Sequence, residues 1–275
     1  MSRNDASEPR DMLREIDFAE LYRAQCRVSG FGSRSSADWD RRAAKRRRQV
    51  RDSDYNEALL GALDFAGVRT ALDIGCGTGN LAIPLARRLE MVHALDFSPE
   101  MLRQLERERQ RAGLENIVAH QRSWEEPWTG VPKVDLVICS RALGVEDLRA
   151  ALEKMTGRAR RRCAATIHAE GDYLGADVRE LLGRRLAPRP SYLYAVNILH
   201  QMGRRATVEF IPSEGGSTYA SADEFVAAVR WRVGELSAAE ERRLRGFYAG
   251  LPEAEGGGRK YRHDFVWALL RWEAR

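Results

Sequence analysis

An apolar run that ends in aspartate and breaks at once into alternating glycines stands at Ala71-Leu-Asp-Ile-Gly-Cys-Gly-Thr-Gly-Asn80. Few features restrict a chain more. Glycines at such a turn remove the side chains that would keep a ligand away from the backbone, and the amphipathic stretch behind them must be a helix packed back on the strand. From Thr70 onward the same alternation repeats, and it is the pattern of a parallel sheet with crossover helices. The runs predict strands near Thr70–Ile74, Met91–Leu95, Ile117–His120, Val134–Cys139 and Cys163–His168. Between them, helices are predicted near Asn80–Leu89, Pro99–Ala112 and Glu146–Met155. Beyond Glu170 the alternation loosens. There the spacing predicts helices over Asp172–Leu186, Ser191–Met202, Ala222–Val233 and Ala238–Tyr248, and strands over Ala206–Ile211 and Phe265–Trp272. Gly256–Gly258 reads as a flexible, solvent-exposed turn. Before the first strand, Asp11–Cys26 and Asp38–Leu63 read as helices around a Gly/Ser break at Gly30–Ser36.

The length of 275 residues suits one large domain with additions. Accordingly 1–63 is expected to form a helical lid segment and 64–275 the sheet domain, with a helical insertion around 172–251. No apolar run reaches the roughly 18 residues that a membrane helix needs, and Met1–Arg14 is polar, so a cytoplasmic protein is expected. The four cysteines lie far apart, which supports neither a metal site nor a disulfide framework. The net charge of +5 comes almost wholly from arginine, with lysine only at 45, 133, 154 and 260. Such a bias argues weakly for a nucleic-acid partner.

Which ligand the glycine turn takes depends on the residues around it. A dinucleotide fingerprint would carry its third glycine at position 80, where Asn stands, and the Lys-Ser/Thr pair of a P-loop is missing. Asp73, at the strand end before the first glycine, suits an amino or sulfonium cation better than a pyrophosphate. About 20 residues on, Ala94-Leu-Asp-Phe-Ser-Pro-Glu-Met-Leu102 places Asp96 at the next strand end, where a carboxylate can accept from both ribose hydroxyls. Ser98 can cap the following helix with Pro99 at its first position. Phe97 and Met101 can pack on an adenine face.

The two motifs, D-x-G-x-G-x-G at Asp73–Gly79 and D-x-S-x-x-M-L at Asp96–Leu102, resemble those of class I S-adenosylmethionine (SAM) methyltransferases, with a small-molecule type of core similar to quinone-biosynthesis members. The resemblance covers roughly Tyr55–Glu170. It implies a Rossmann-like, seven-stranded, mostly parallel α/β sheet of order 3-2-1-4-5-7-6 with its last strand antiparallel, and methyl transfer from SAM, leaving S-adenosylhomocysteine. It implies a cofactor set of Asp73, Gly75, Cys76, Gly77, Gly79, Asp96, Phe97 and Met101. Ser140, at the end of Asp135-Leu-Val-Ile-Cys-Ser-Arg141, should lie beside the methionine portion. Where the family carries Gly-Asp-Ala for the adenine amino group, this chain has Ser123-Trp124, whose indole or amide could still serve. Trp39 and Tyr55 are expected to sit over the cofactor from the preceding helices.

Blander readings stand beside these: a tight turn that binds nothing, a helix-capping Asp96, and a surface turn with a packed Trp124. Arg141 is the candidate for holding an anionic group on cofactor or substrate. His168, at the end of the fifth strand, is the candidate general base or a hydrogen-bonded structural histidine. His93 and His120 read as structural. Cys139 lacks the preceding proline of pyrimidine-C5 methyltransferases, and Cys139–Ala142 lacks the N/D-P-P-aromatic pattern of adenine amino methylation. The basic run Arg41–Arg51 could track phosphates or face solvent on a helix. A small-molecule acceptor is thus expected. RNA or protein acceptors, or a SAM-binding module without catalysis, are the alternatives, and an NAD-dependent oxidoreductase is disfavoured.

Overall fold

The computed structural model describes residues 11–31, 54–171, 174–185 and 187–275. Trp39, the basic run 41–51 and Tyr173 lie outside the described residues. Seven strands form one sheet: β1 (Thr70–Ile74), β2 (Met91–Asp96), β3 (Ile117–Gln121), β4 (Val134–Ser140), β5 (Ala159–Gly171), β6 (Thr207–Tyr219) and β7 (Arg259–Glu273). Their order is β3-β2-β1-β4-β5-β7-β6. The first five pair in parallel, and β7 runs antiparallel to both β5 and β6.

Two helical layers cover this sheet, and the strand period of two decides what each receives. Leu136, Ile138, Ala164 and Leu269 face a layer of α3 (Asp54–Gly61), α4 (Ala82–Ala86) and α5 (Pro99–Arg111). Val137, Cys139, Cys163, Ala165 and Leu270 face the opposite layer of α2 (Phe18–Ser29), α6 (Leu148–Arg158) and α8 (Tyr192–Gln201). Central strands with both faces buried need near-continuous apolar sequence, which β1 and β4 have. Trp272 anchors the end of β7 by donating from Nε1 to Thr156 Oγ1 at 3.0 Å.

A third core lies apart from these two. The outer halves of β6 and β7 run past the other strands and carry α7 (Ala176–Leu182), α9 (Ala222–Val233) and α10 (Ala238–Ala249). Phe225, Leu244, Val178, Tyr219 and Tyr261 form its centre. Because β6 is parallel to β5, this cap stands at the end of the sheet where β1 to β5 finish. Its helices carry recognisable caps. Ser221 and Ser237 cap α9 and α10, the latter in a full capping box with Glu240, and Gly183 closes α7 in the left-handed region. Arg184 bridges Glu240 at 2.6 Å and holds its carboxyl down to about 2.

The structure corrects several element boundaries. β5 begins four residues before its expected start. Arg160–Arg162 break the apolar pattern, yet Arg162 reaches Asp64 at 3.0 Å and Glu273 at 3.5 Å from the sheet. The sixth and seventh strands are each about twice as long as expected, pairing from Thr207↔Arg271 to Tyr219↔Arg259. Gly215-Gly216 hides the extension in sequence, and Pro212 is tolerated because β6 lies at the sheet edge. The first helix is divided: α1 (Met12–Glu15) precedes α2, whose start is capped by Asp17 accepting from the Glu20 amide at 2.9 Å. The helices expected at Asn80–Leu89 and Asp172–Leu186 shrink to α4 and α7. Of the expected helix 38–63, the described part is α3.

His93 and His120 pair across β2 and β3, Nδ1 to Nε2 at 2.9 Å, and burial lowers the pKa of both. Among the described residues no helix is long and apolar enough to cross a membrane.

Replacing Phe225 by alanine should cost about 3–5 kcal/mol. Because its core is separate, the loss should appear as faster amide exchange in α7, α9 and α10 while β1 and β4 stay protected. Uniform loss of protection would instead make the cap and sheet one cooperative unit.

Candidate functional site

The glycine turn leaves β1 and folds at once against β2. The amides of Gly75 and Cys76 both donate to the Leu95 carbonyl, at 2.7 and 3.1 Å. Its three glycines are required for different reasons. A Cβ on Gly75 would lie 2.3 Å from Ala142 Cβ, and one on Gly79 would lie 2.5 Å from Leu105 Cδ1, so these two permit close packing. Gly77 has φ +54°, and a Cβ there would meet nothing nearer than Met101 Sδ at 4.0 Å. Its face is the open one. Cys76 is buried, and burial drives its thiol far above the usual range.

Two carboxylates flank this turn. Asp96, at the end of β2, accepts from the Gly77 amide at 2.8 Å through Oδ2 and from the Ser98 amide at 2.9 Å through Oδ1. Ser98 in turn caps α5 by accepting from the Met101 amide at 3.1 Å, which fixes Met101 beside the turn, and Phe97 is half-buried between β2 and α5. Asp73, at the end of β1, is only 2% exposed and receives the Ala82 amide, while its Oδ2 has no hydrogen-bond partner. Burial, with the nearby Asp96 charge, pushes its carboxyl up to about 7. A buried acid without a counter-cation is an acceptor waiting for one.

The end of β4 supplies the next wall. Tyr55 of α3 is buried, and its hydroxyl lies 2.9 Å from Ser140 Oγ and 2.7 Å from Thr166 Oγ1 on β5. The same Thr166 oxygen accepts the Arg141 amide at 2.9 Å. Arg141 has φ +57°, the one non-glycine residue in the left-handed region among the described residues, a conformation that costs roughly 1–2 kcal/mol. Its guanidinium rests over the Tyr55 ring, 4.3 Å from the centroid. Burial raises the Tyr55 phenol, and the Arg141 charge opposes that rise. Cys139 just before it is fully buried, and its thiol is driven up by the same desolvation.

The third loop is more occupied than its sequence implied. Trp124 donates from its indole to the Ala142 carbonyl at 3.2 Å and packs on Trp128 with centroids 5.3 Å apart. The Ser123 amide is taken by Glu126 Oε2 at 2.6 Å. Trp124 braces the loop against the β4 end, while Ser123 pairs within the loop itself. His168 lies two residues beyond Thr166 on β5, with Nε2 2.6 Å from the Gly171 carbonyl and its ring edge-on to Phe265 and Trp267. A carbonyl only accepts, so Nε2 carries the proton and Nδ1 is the basic atom of the neutral ring.

Asp73, Gly75, Gly77, Asp96, Met101, Ser140, Tyr55 and Arg141 thus converge on one edge of the sheet. His168 flanks them on β5, and Trp124 supports them from the loop. Thr166 and Trp267 were missed in sequence. A lone hydroxyl inside the apolar run Cys163-Ala-Ala-Thr-Ile167 was the available signal for the first.

Residues 71–162 match the family described as Methyltransferase domain. An uncharacterised protein of Haemophilus influenzae is 34% identical over 265 residues, spanning 94% of this chain and 97% of its own. An uncharacterised methyltransferase of Mycobacterium tuberculosis is 36% identical over 104 residues, 38% of this chain and 51% of its own. Among solved structures, the YcgJ protein of Bacillus subtilis superposes with a TM-score of 0.53 at 15% identity, covering 80% of this chain and 98% of that one, a likeness of fold. The chain belongs to the class I S-adenosylmethionine-dependent methyltransferases.

Proposed function

We propose that this enzyme methylates a small-molecule acceptor. One observation carries the reading: the outer halves of β6 and β7, with their cap helices, extend past the end of β5 on the side of the sheet where β1 to β5 finish. Added structure on that side suits a small molecule better than a polymer. The fully buried, high-pKa Cys139 argues against the covalent route to a pyrimidine base.

The residues present fit the donor. The unpartnered Oδ2 of Asp73 would take its ammonium group, the Asp96 carboxylate at the end of β2 would take the ribose hydroxyls, and the bare face of Gly77 leaves room between them. Phe97 and Met101 would flank the base. When bound, SAM would supply an activated methyl group whose transfer to the acceptor leaves the electron pair of the broken carbon–sulfur bond on sulfur. Alignment and water exclusion by Tyr55 and the β4 end then supply most of what the protein contributes. Where the attacking atom is a hydroxyl or amine, His168 on β5 is the candidate base for its proton.

Calorimetric titration with SAM and S-adenosylhomocysteine tests the donor site. Asp96→Ala should weaken both at least tenfold, since hydrogen bonds to a charged group are worth about 1.5–3 kcal/mol each, and NAD should not bind. Undiminished SAM binding in that variant would remove Asp96 from the site.

Asp73 gives a pH signature. Its folded pKa stands above the ordinary 3.8, so its contribution to the stability of the ligand-free protein is greatest below that value and is lost as pH rises through about 7. A bound cation favours the ionised form, so SAM affinity should rise with pH across the same window. Asp73→Asn should abolish that rise and increase the thermal stability of the ligand-free protein at pH 8. A pH-independent affinity in the wild type would contradict the assignment.

For the acceptor class, transfer of labelled methyl groups should go to a small-metabolite extract and not to total cellular RNA. Incorporation into RNA alone would reverse the reading.

A further inference from the structure

Most arginines near the sheet are neutralised: Arg162 by Asp64 and Glu273, Arg271 by Glu209, Arg69 by Glu90. Arg141 is exposed, yet among the described residues its guanidinium has neither an ion pair nor a hydrogen bond, and it rests on the face of Tyr55. The fold holds it there at a backbone conformation unfavourable to arginine, by tying its amide to Thr166 and the ring beneath it to Ser140 and Thr166. A planar cation fixed in that way is preorganised for a carboxylate or phosphate.

Its position is on the β4–β5 side of the donor turn, which it adjoins through Ala142, the residue against which Gly75 packs. The two aspartates stand at the ends of β1 and β2, whereas Tyr55 bridges β4 and β5, so Asp96 and Thr166 are three strand spacings apart, about 14 Å. On the far side, Tyr55 meets Trp267 edge-on at 6.3 Å, and Trp267 meets His168 at 6.3 Å and Phe265 at 5.8 Å. The cation therefore borders an aromatic row, buried at Tyr55 and Phe265 and half-buried at Trp267, that continues along β7 towards the cap.

Building on the methyltransferase reading above, we propose that Arg141 and the Tyr55–Trp267–His168 edge form the acceptor subsite, and that the acceptor is an organic acid whose anionic group Arg141 holds while an unsaturated ring or chain lies against the aromatics. The charge serves the acceptor, not the donor.

The test uses the full chain saturated with S-adenosylhomocysteine and three probes: benzoate, 4-hydroxybenzoate and uncharged benzamide, followed by calorimetry and tryptophan fluorescence. The acids should bind at least tenfold more tightly than the amide. Arg141→Gly, which suits the left-handed backbone and keeps the amide bond to Thr166, should erase that preference and leave SAM affinity within twofold of wild type. Arg141→Lys should restore part of it, and Tyr55→Leu should weaken both acids. Equal binding of acid and amide, or binding of neither, would overturn the proposal. So would a tenfold loss of SAM affinity in Arg141→Gly, which would hand the cation to the donor. A wild type that binds no S-adenosylhomocysteine would overturn the methyltransferase reading first, and this one with it.

Discussion

The buried charge at the ends of β1 and β2 is the constraint on which the rest of the architecture turns. Asp73 and Asp96 stand on neighbouring strands and repel one another, and burial strips Asp73 of water. Leaving a carboxylate in that state is expensive unless hydrogen bonds meet it. The fold answers with backbone amides, from Gly77 and Ser98 for Asp96 and from Ala82 for Asp73. Those amides are in place only because the glycine turn hooks onto Leu95 and because Ser98 and Pro99 start α5 where they do. One oxygen of Asp73 is still left over. The site is therefore stabilised by folding only in part.

Much of this was legible in the residues themselves. The five parallel strands, the glycine turn and both aspartates could be read because each depends on local pattern: an apolar run, a turn that needs bare backbone, a carboxylate at a strand end. The sheet order followed from the family resemblance, since strand order depends on contacts far apart in sequence. What stayed hidden also has physical causes. Tyr55 acts through hydroxyls 85 and 111 residues away, so no local window reveals that Ser140 and Thr166 share it. The backbone strain at Arg141 leaves no mark on composition. Trp124 read as a candidate stacking surface, and the structure gives its indole to Ala142 as a brace.

The length of β6 and β7 was the largest misjudgement, and it matters for function. Their outer halves alternate like a strand that faces one small core: Tyr261, His263 and Phe265 are buried, Lys260, Arg262 and Asp264 exposed. A pattern of that kind, interrupted by glycines and a proline, resembles loop sequence when weighed against the fully apolar central strands. The cap thus owes its place to main-chain pairing more than to hydrophobic content.

A last consequence follows from β7 itself. It is a single uninterrupted strand with Trp272 in one core, Leu269 in a second and Tyr261 in the third, and it passes beside Tyr55 through Trp267 on the way. Gly171 presses directly on its backbone at Asp264, where a Cβ would come within 2.0 Å of the carbonyl oxygen. The strand is in effect a common axle. The three cores are thereby strung on one continuous backbone, and the strand that sets Trp267 against Tyr55 is the same one that carries the cap.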